Sequence, residues 1–185
     1  MRISKNLRAD QEKITRFLTV LGSGAVMLST SRLARPSFFI RAHVFIIEFI
    51  EEGFFQKEEF LMKALEEGGF PSDEGPIAAM KNDQKKSHAA AEAMLNFAKQ
   101  WQAGDEISRS EMGWASSEYT STIRQHLERL KNLIFPLLEQ TISIEEEHRV
   151  SELINNIIFE GNLKDGAEKY VKLTETLEDQ LGDWK

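Results

Sequence analysis

Cysteine is absent from the 185 residues. That excludes disulfides, thiolate metal ligands and thiol nucleophiles, and it predicts a reducing, cytoplasmic setting. Proline is scarce, at four residues, so long stretches are free to be helical. Long apolar runs are missing too. The longest, Val44-Phe45-Ile46-Ile47 with Phe49-Ile50, is interrupted by Glu48 and ended by Glu51-Glu52. A bilayer needs about 20 apolar residues in a helix, so no membrane span is expected. Met1 to Asp10 mixes charges and lacks the apolar core of a signal peptide. Positive charge is in deficit, with 23 Lys and Arg against 30 Asp and Glu and a net charge of −7. Nucleic acid is therefore not expected as a partner, because phosphate binding needs a basic face. The chain also lacks a Gly-rich phosphate loop, a Walker pattern, a serine elbow and long low-complexity runs.

What is present is helical periodicity. Ile14, Phe17, Leu18 and Leu21 form a stripe that predicts a first helix from about Ala9 to Leu21. Gly22-Ser23-Gly24 weakens it, and a helix resumes over Ala25 to Leu33. Pro36 opens a second helix that runs to about Leu65 and stops at Gly68-Gly69. After the Pro71 to Gly75 loop, Pro76 opens a third, which ends near Trp101. Gly104-Asp105 breaks the chain, and Ser108 to Gly113 is ambiguous. A fourth helix carries Tyr119, Ile123, His126, Leu127, Leu130, Ile134 and Leu138. Ser143 with Glu146 has the pattern of a capping box for a short fifth helix. Gly161 to Gly166 separates a last amphipathic helix ending near Leu181. The expected fold is all-α, an antiparallel up-down four-helix bundle with additional C-terminal helices. The expected organisation is one domain over 1–185, with the bundle at about 9–140 and the extension at about 143–182.

Several strings carry a more specific signal through their order and spacing. They are Asp10-Gln11, Phe54-Phe55-Gln56-Lys57-Glu58-Glu59, Gly75-Pro76-Ile77 leading to Asp83-Gln84, and His126-Leu127-Glu128-Arg129-Leu130 followed by Leu133-Ile134-Phe135-Pro136. Together they resemble the bacterial hemerythrin-like (HHE cation-binding) family over nearly the whole chain. The resemblance implies an iron centre between four helices, with a His and a Glu four residues apart on one helix face binding a bridged metal pair. At the matched positions this chain carries Gln11, Phe55, Glu59, Gln84, His126 and Leu130. Four of the six are replaced, and Glu59 and His126 are the residual ligands. A glutamine amide is a weak ligand, and Phe and Leu are not ligands.

The expectation is a plugged bundle. Phe55 and Leu130 fill the vacated space. Gln11 and Gln84 hydrogen-bond each other or the survivors, and Glu59 pairs with His126. A displaced single-ion site is the alternative, built from His88, one turn after Gln84, with Glu48, Glu51 and Glu52 on the antiparallel second helix. His43 and His148 do not read as ligands. No catalytic constellation emerges, so no enzymatic activity is expected. Trp101 and Trp114 are placed at one end of the bundle, where they either cap the core or form a partner surface. Trp184 is expected to be the most exposed tryptophan. The function expected is a non-enzymatic binding or regulatory protein with no cofactor and with an unknown protein or small-molecule partner. Homo-oligomerisation stays open. The alternative is a protein that binds iron or another divalent cation at a reduced or displaced site, with an oxygen- or iron-related role.

Overall fold

The computed structural model describes residues 1–164 and 166–185, with residues 162–164 described by their backbone alone. Six helical rods account for the described residues, and no strand is found among them. The first, α1, spans Arg2–Met27. It starts earlier than Ala9 because Ile3 and Leu7 extend the apolar stripe and are fully buried. Gly22 to Gly24 does not break it. Gly24 is instead a point of close approach, where an added Cβ would sit 2.5 Å from the Phe38 ring.

The second rod, α2, consists of Pro36–Phe45, a π-helical stretch Ile46–Phe54, and Phe55–Glu67. It ends where expected, on Gly69 at φ 98°, with the Phe70 N–H donating to the Leu65 carbonyl at 3.0 Å. α3 covers Gly75–Gln102, with Pro76 in its first turn. α4 consists of Ile107–Arg129, a π-helical turn Leu130–Ile134, and Phe135–Thr141. The ambiguous Ser108 to Gly113 is thus helical, started by Asp105, whose carboxylate accepts the Ile107 N–H at 3.1 Å. Pro136 explains the π turn. In a regular helix its ring would collide with the carbonyl four residues back, and widening the preceding turn relieves that clash.

α1 packs on α4, α4 on α3 and α3 on α2, the neighbours of an up-down bundle. Of the adjacent pairs around the bundle, α1 and α2 touch least. Two further helices lie over that seam, α5 (Ile144–Lys164) across α1 and the end of α2, and α6 (Glu168–Asp183) across α1 and its start. The capping box forms as expected, with the Glu146 N–H donating to Ser143 Oγ at 3.2 Å and the Ser143 N–H to Glu146 Oε2 at 3.1 Å. The helix it starts is long rather than short. The expected break at Gly161 to Gly166 is narrower in the structure: α5 continues to Lys164, residue 165 is outside the described residues, and Gly166 follows at φ 67° with its N–H donating to the Gly161 carbonyl at 2.9 Å. Trp184 corrects an expectation. It is buried against Phe38, ring centroids 4.9 Å apart, and its carbonyl accepts a hydrogen bond from Ser31 Oγ at 2.6 Å. Its indole completes the α1–α2 seam instead of facing solvent. Among the described residues no helix is long and apolar enough to cross a membrane.

Candidate functional site

The site lies midway along the bundle, where the two π-helical stretches meet the regular helices. One ends at Phe54 and the other begins at Leu130. Such bulges shift the helical phase by a residue and often mark functional sites. Downstream of the first, the buried residues are Phe55, Lys57, Glu58, Leu61, Met62 and Leu65. Glu58 is fully buried, and Glu59 points to solvent. The expected pairing of Glu59 with His126 is therefore corrected to Glu58. The string Phe54 to Glu59 contains two pairs four residues apart, Phe54 with Glu58 and Phe55 with Glu59, and the spacing fits both. The apolar phase of Leu61 and Leu65 distinguishes them, because it puts Glu58 inside and groups Glu59 with the exposed Glu52 and Glu66.

His126 sits between two carboxylates. Its Nε2 lies 2.7 and 2.9 Å from the Glu58 oxygens, and its Nδ1 lies 3.3 Å from Asp83 Oδ2. Burial alone would lower the pKa of this imidazole, but the Glu58 charge and the hydrogen bonds to Asp83 and Glu58 outweigh it and raise the value to about 9. The ring is therefore an imidazolium that donates from both nitrogens. Asp83 also accepts from Arg129 Nε at 2.9 Å. Its own burial would raise its pKa, but His126 and Arg129 hold it below the ordinary value. Gln84 Nε2 donates to Glu58 Oε2 at 2.9 Å. Next to Glu58 in the chain, buried Lys57 pairs with buried Asp10.

These contacts balance. The carboxylates of Asp10, Glu58 and Asp83 face the cations of Lys57, His126 and Arg129. A buried charge is tolerated when it is paired and hydrogen-bonded, and each of these is. The surroundings are apolar. Phe55 packs edge-on to the His126 ring at 5.5 Å, and Phe54 and Leu130 are buried beside it. Gln11 is half-buried and makes no hydrogen bond to the site, unlike the expectation for it. Asp83, Arg129, Lys57 and Asp10 join the site beyond the residues that the sequence points to. Their signal was present as charged residues on otherwise inward-facing helix positions.

The donor set does not fit a two-metal centre. Of the matched positions in this register, Gln11, Phe54, Glu58, Gln84, His126 and Leu130, only Glu58 and His126 offer strong donors, and they are bound to each other. The two nitrogens of His126 point to opposite sides, so Glu58, His126 and Asp83 cannot converge on one ion. A metal would have to displace a proton from an imidazolium to bind there. Among the described residues no group of three or more His, Asp and Glu is arranged to hold a metal ion. The displaced set does not converge either. His88 Nδ1 meets Glu51 at 3.0 Å on the surface, Glu48 lies 3.7 Å from Lys169, and Glu52 is exposed. His43 pairs with Glu92 at 3.1 Å, and His148 is exposed beside Glu152.

No curated protein and no solved structure matches the chain. Residues 2–138 match the family model of the hemerythrin HHE cation binding domain. That stretch holds the four bundle helices and all of the ion network, and it ends where α4 ends its contribution to the core at Leu138. By this match and by its helical architecture, the chain belongs to the hemerythrin HHE cation-binding family.

Proposed function

We propose that this chain is a non-enzymatic binding or regulatory member of its family, in which the di-iron site has been replaced by an internal ion network. The observation that supports this is the double engagement of His126. Both ring nitrogens, the donors a metal would need, are used on carboxylates. Lys57, His126 and Arg129 supply the positive charge that metal ions supply in a carboxylate-rich bundle. Oxygen carriage, oxygen or nitric-oxide sensing and iron storage all need a metal that this arrangement disfavours.

Metal analysis of protein purified without added metal tests the reading. Iron well below one per chain is expected, and about two per chain would contradict it. A converse experiment uses the register seen here. Gln11→His, Phe54→His, Gln84→His and Leu130→Glu together return ligand chemistry to inward or half-buried positions. The variant is expected to be less stable without metal, because polar groups enter a packed core. Adding ferrous iron should raise its melting temperature. If it folds but takes up no iron, the positional match is wrong.

A further inference from the structure

Four large apolar side chains are exposed at one end of the bundle: Val26 at 71%, Leu33 at 51%, Ile107 at 78% and Trp114 at 77%. α1 and α4 run antiparallel here. Arg124 reaches Thr19, Arg109 holds the Leu28 carbonyl, and Gly113 lies against Leu28. That register sets Val26 level with Trp114, and Leu33, in the connection from α1 to α2, lies at the same end as Ile107 in the first turn of α4. Between the two helices runs a groove of about 320 Å³, lined by the small or short residues Ala25, Leu28, Ser29, Ser110, Gly113 and Ser117, with Trp114 on its rim. Arg109 also lines it, but its guanidinium is tied to the carbonyls of Leu28 and Ser31.

We propose that this face docks a second copy of this chain about a twofold axis passing near Trp114. Three observations carry the choice of occupant. The first is area. The exposed parts of the four side chains amount to about 400 Å² per copy. A standard interface takes about 800 Å² from each partner, a little over half of it apolar, so the patch matches one partner's apolar share. The second is shape. A bulky indole and a groove of small residues lie side by side on one face, which is the self-complementarity an isologous pair requires. The third is register. With two α4 helices crossing antiparallel at Trp114, Ser110 meets Glu118 and Glu111 meets Ser117. All four are exposed. Each carboxylate then faces a hydroxyl donor instead of another carboxylate, in a chain whose net charge otherwise opposes self-association.

The proposal deepens, and rests on, the reading of the chain as a binding protein. Metal content measured on the same sample lets the two fail separately. Sedimentation of the full chain across micromolar concentrations should show a monomer–dimer equilibrium. Trp101 and Trp184 are buried, so a concentration-dependent blue shift in tryptophan emission reports on Trp114. Trp114→Ser should raise the dimer dissociation constant by about 30-fold or more with the thermal melt unchanged. Ser117→Glu, which sets a second carboxylate against Glu111 of the other copy, should do likewise. A monomer at every concentration overturns the proposal, as does a dimer that both variants leave intact. A monomer that co-purifies with a different protein on this face also overturns it.

Discussion

His126→Ala is expected to destabilise the fold by about 3–5 kcal/mol, the cost of removing one partner from a fully buried ion pair. The loss exceeds that of the imidazole's own packing because two carboxylates, Glu58 and Asp83, are left facing an empty space. Glu58→Ala should cost a similar amount, since it leaves the imidazolium with Asp83 alone. Glu59→Ala is the matched control. Its side chain is exposed, so its effect should stay within about 0.5 kcal/mol. Denaturant unfolding of the three variants separates the two registers. If Glu59→Ala were the costly change, the assignment of Glu58 to the site would be wrong.

Stability should also fall on the alkaline side of neutrality. His126 has its proton bound up to about pH 9 in the fold, while in the unfolded chain it titrates near 6.5. Below pH 6.5 both states are protonated and the contribution is fully present. Between 6.5 and 9 the unfolded chain has shed the proton that the folded chain keeps, so stability declines with rising pH. The total decline is on the order of 3 kcal/mol, from 1.36 kcal/mol per pKa unit. Asp83 acts on the other side. Its folded pKa lies below the ordinary 3.8, so its contribution is present above that value and lost as pH falls through the folded one. Stability from this network is therefore greatest between about pH 4 and 6.5. Unfolding curves at fixed ionic strength across pH 4 to 10 should show that plateau and the alkaline decline. In His126→Gln the decline should disappear.

The bundle was legible in the sequence because its signals are local. Stripes of apolar residues mark the four helices, and Gly68-Gly69 and Gly104 stop two of them where expected. Leu130, Gln84 and His126 were also placed correctly toward the interior, since each lies on a strongly periodic face. The structure departed from the sequence reading where a one-residue phase decides the outcome. The spacing of four in Phe54 to Glu59 fits two registers, and a π-helical stretch just upstream shifts the phase of the helix that leads into it. The ion network was hidden for a different reason. Asp10, Lys57, Asp83 and Arg129 come from different helices, and only tertiary packing brings them together. Trp184 illustrates the same limit. Near a chain end it reads as exposed, yet α6 carries it back onto Phe38 and Phe39.

Seen from the site, the fold and the chemistry constrain each other. A bundle whose interior carries carboxylates at matched metal positions must neutralise them or lose them. Here the buried positions around the site include the apolar Phe54, Phe55 and Leu130. The carboxylates of Asp10, Glu58 and Asp83 are met by side-chain cations. Hydrogen-bonded ion pairs thus tie α1 to α2, α2 to α4 and α3 to α4 in the interior. Chelators should consequently leave the melting temperature unchanged, as expected when no bound metal contributes to folding.

The protonation state of His126 separates an internal ion network from a metal site. Nitrogen-15 NMR of the four histidines distinguishes a doubly protonated ring from either neutral tautomer and from a metal-bound nitrogen. At pH 7.5 both nitrogens of His126 are expected to carry protons, with titration centred near pH 9 and no change on adding a chelator. A neutral His126 at pH 7.5, or a nitrogen resonance shifted by metal and restored by chelation, would contradict this expectation.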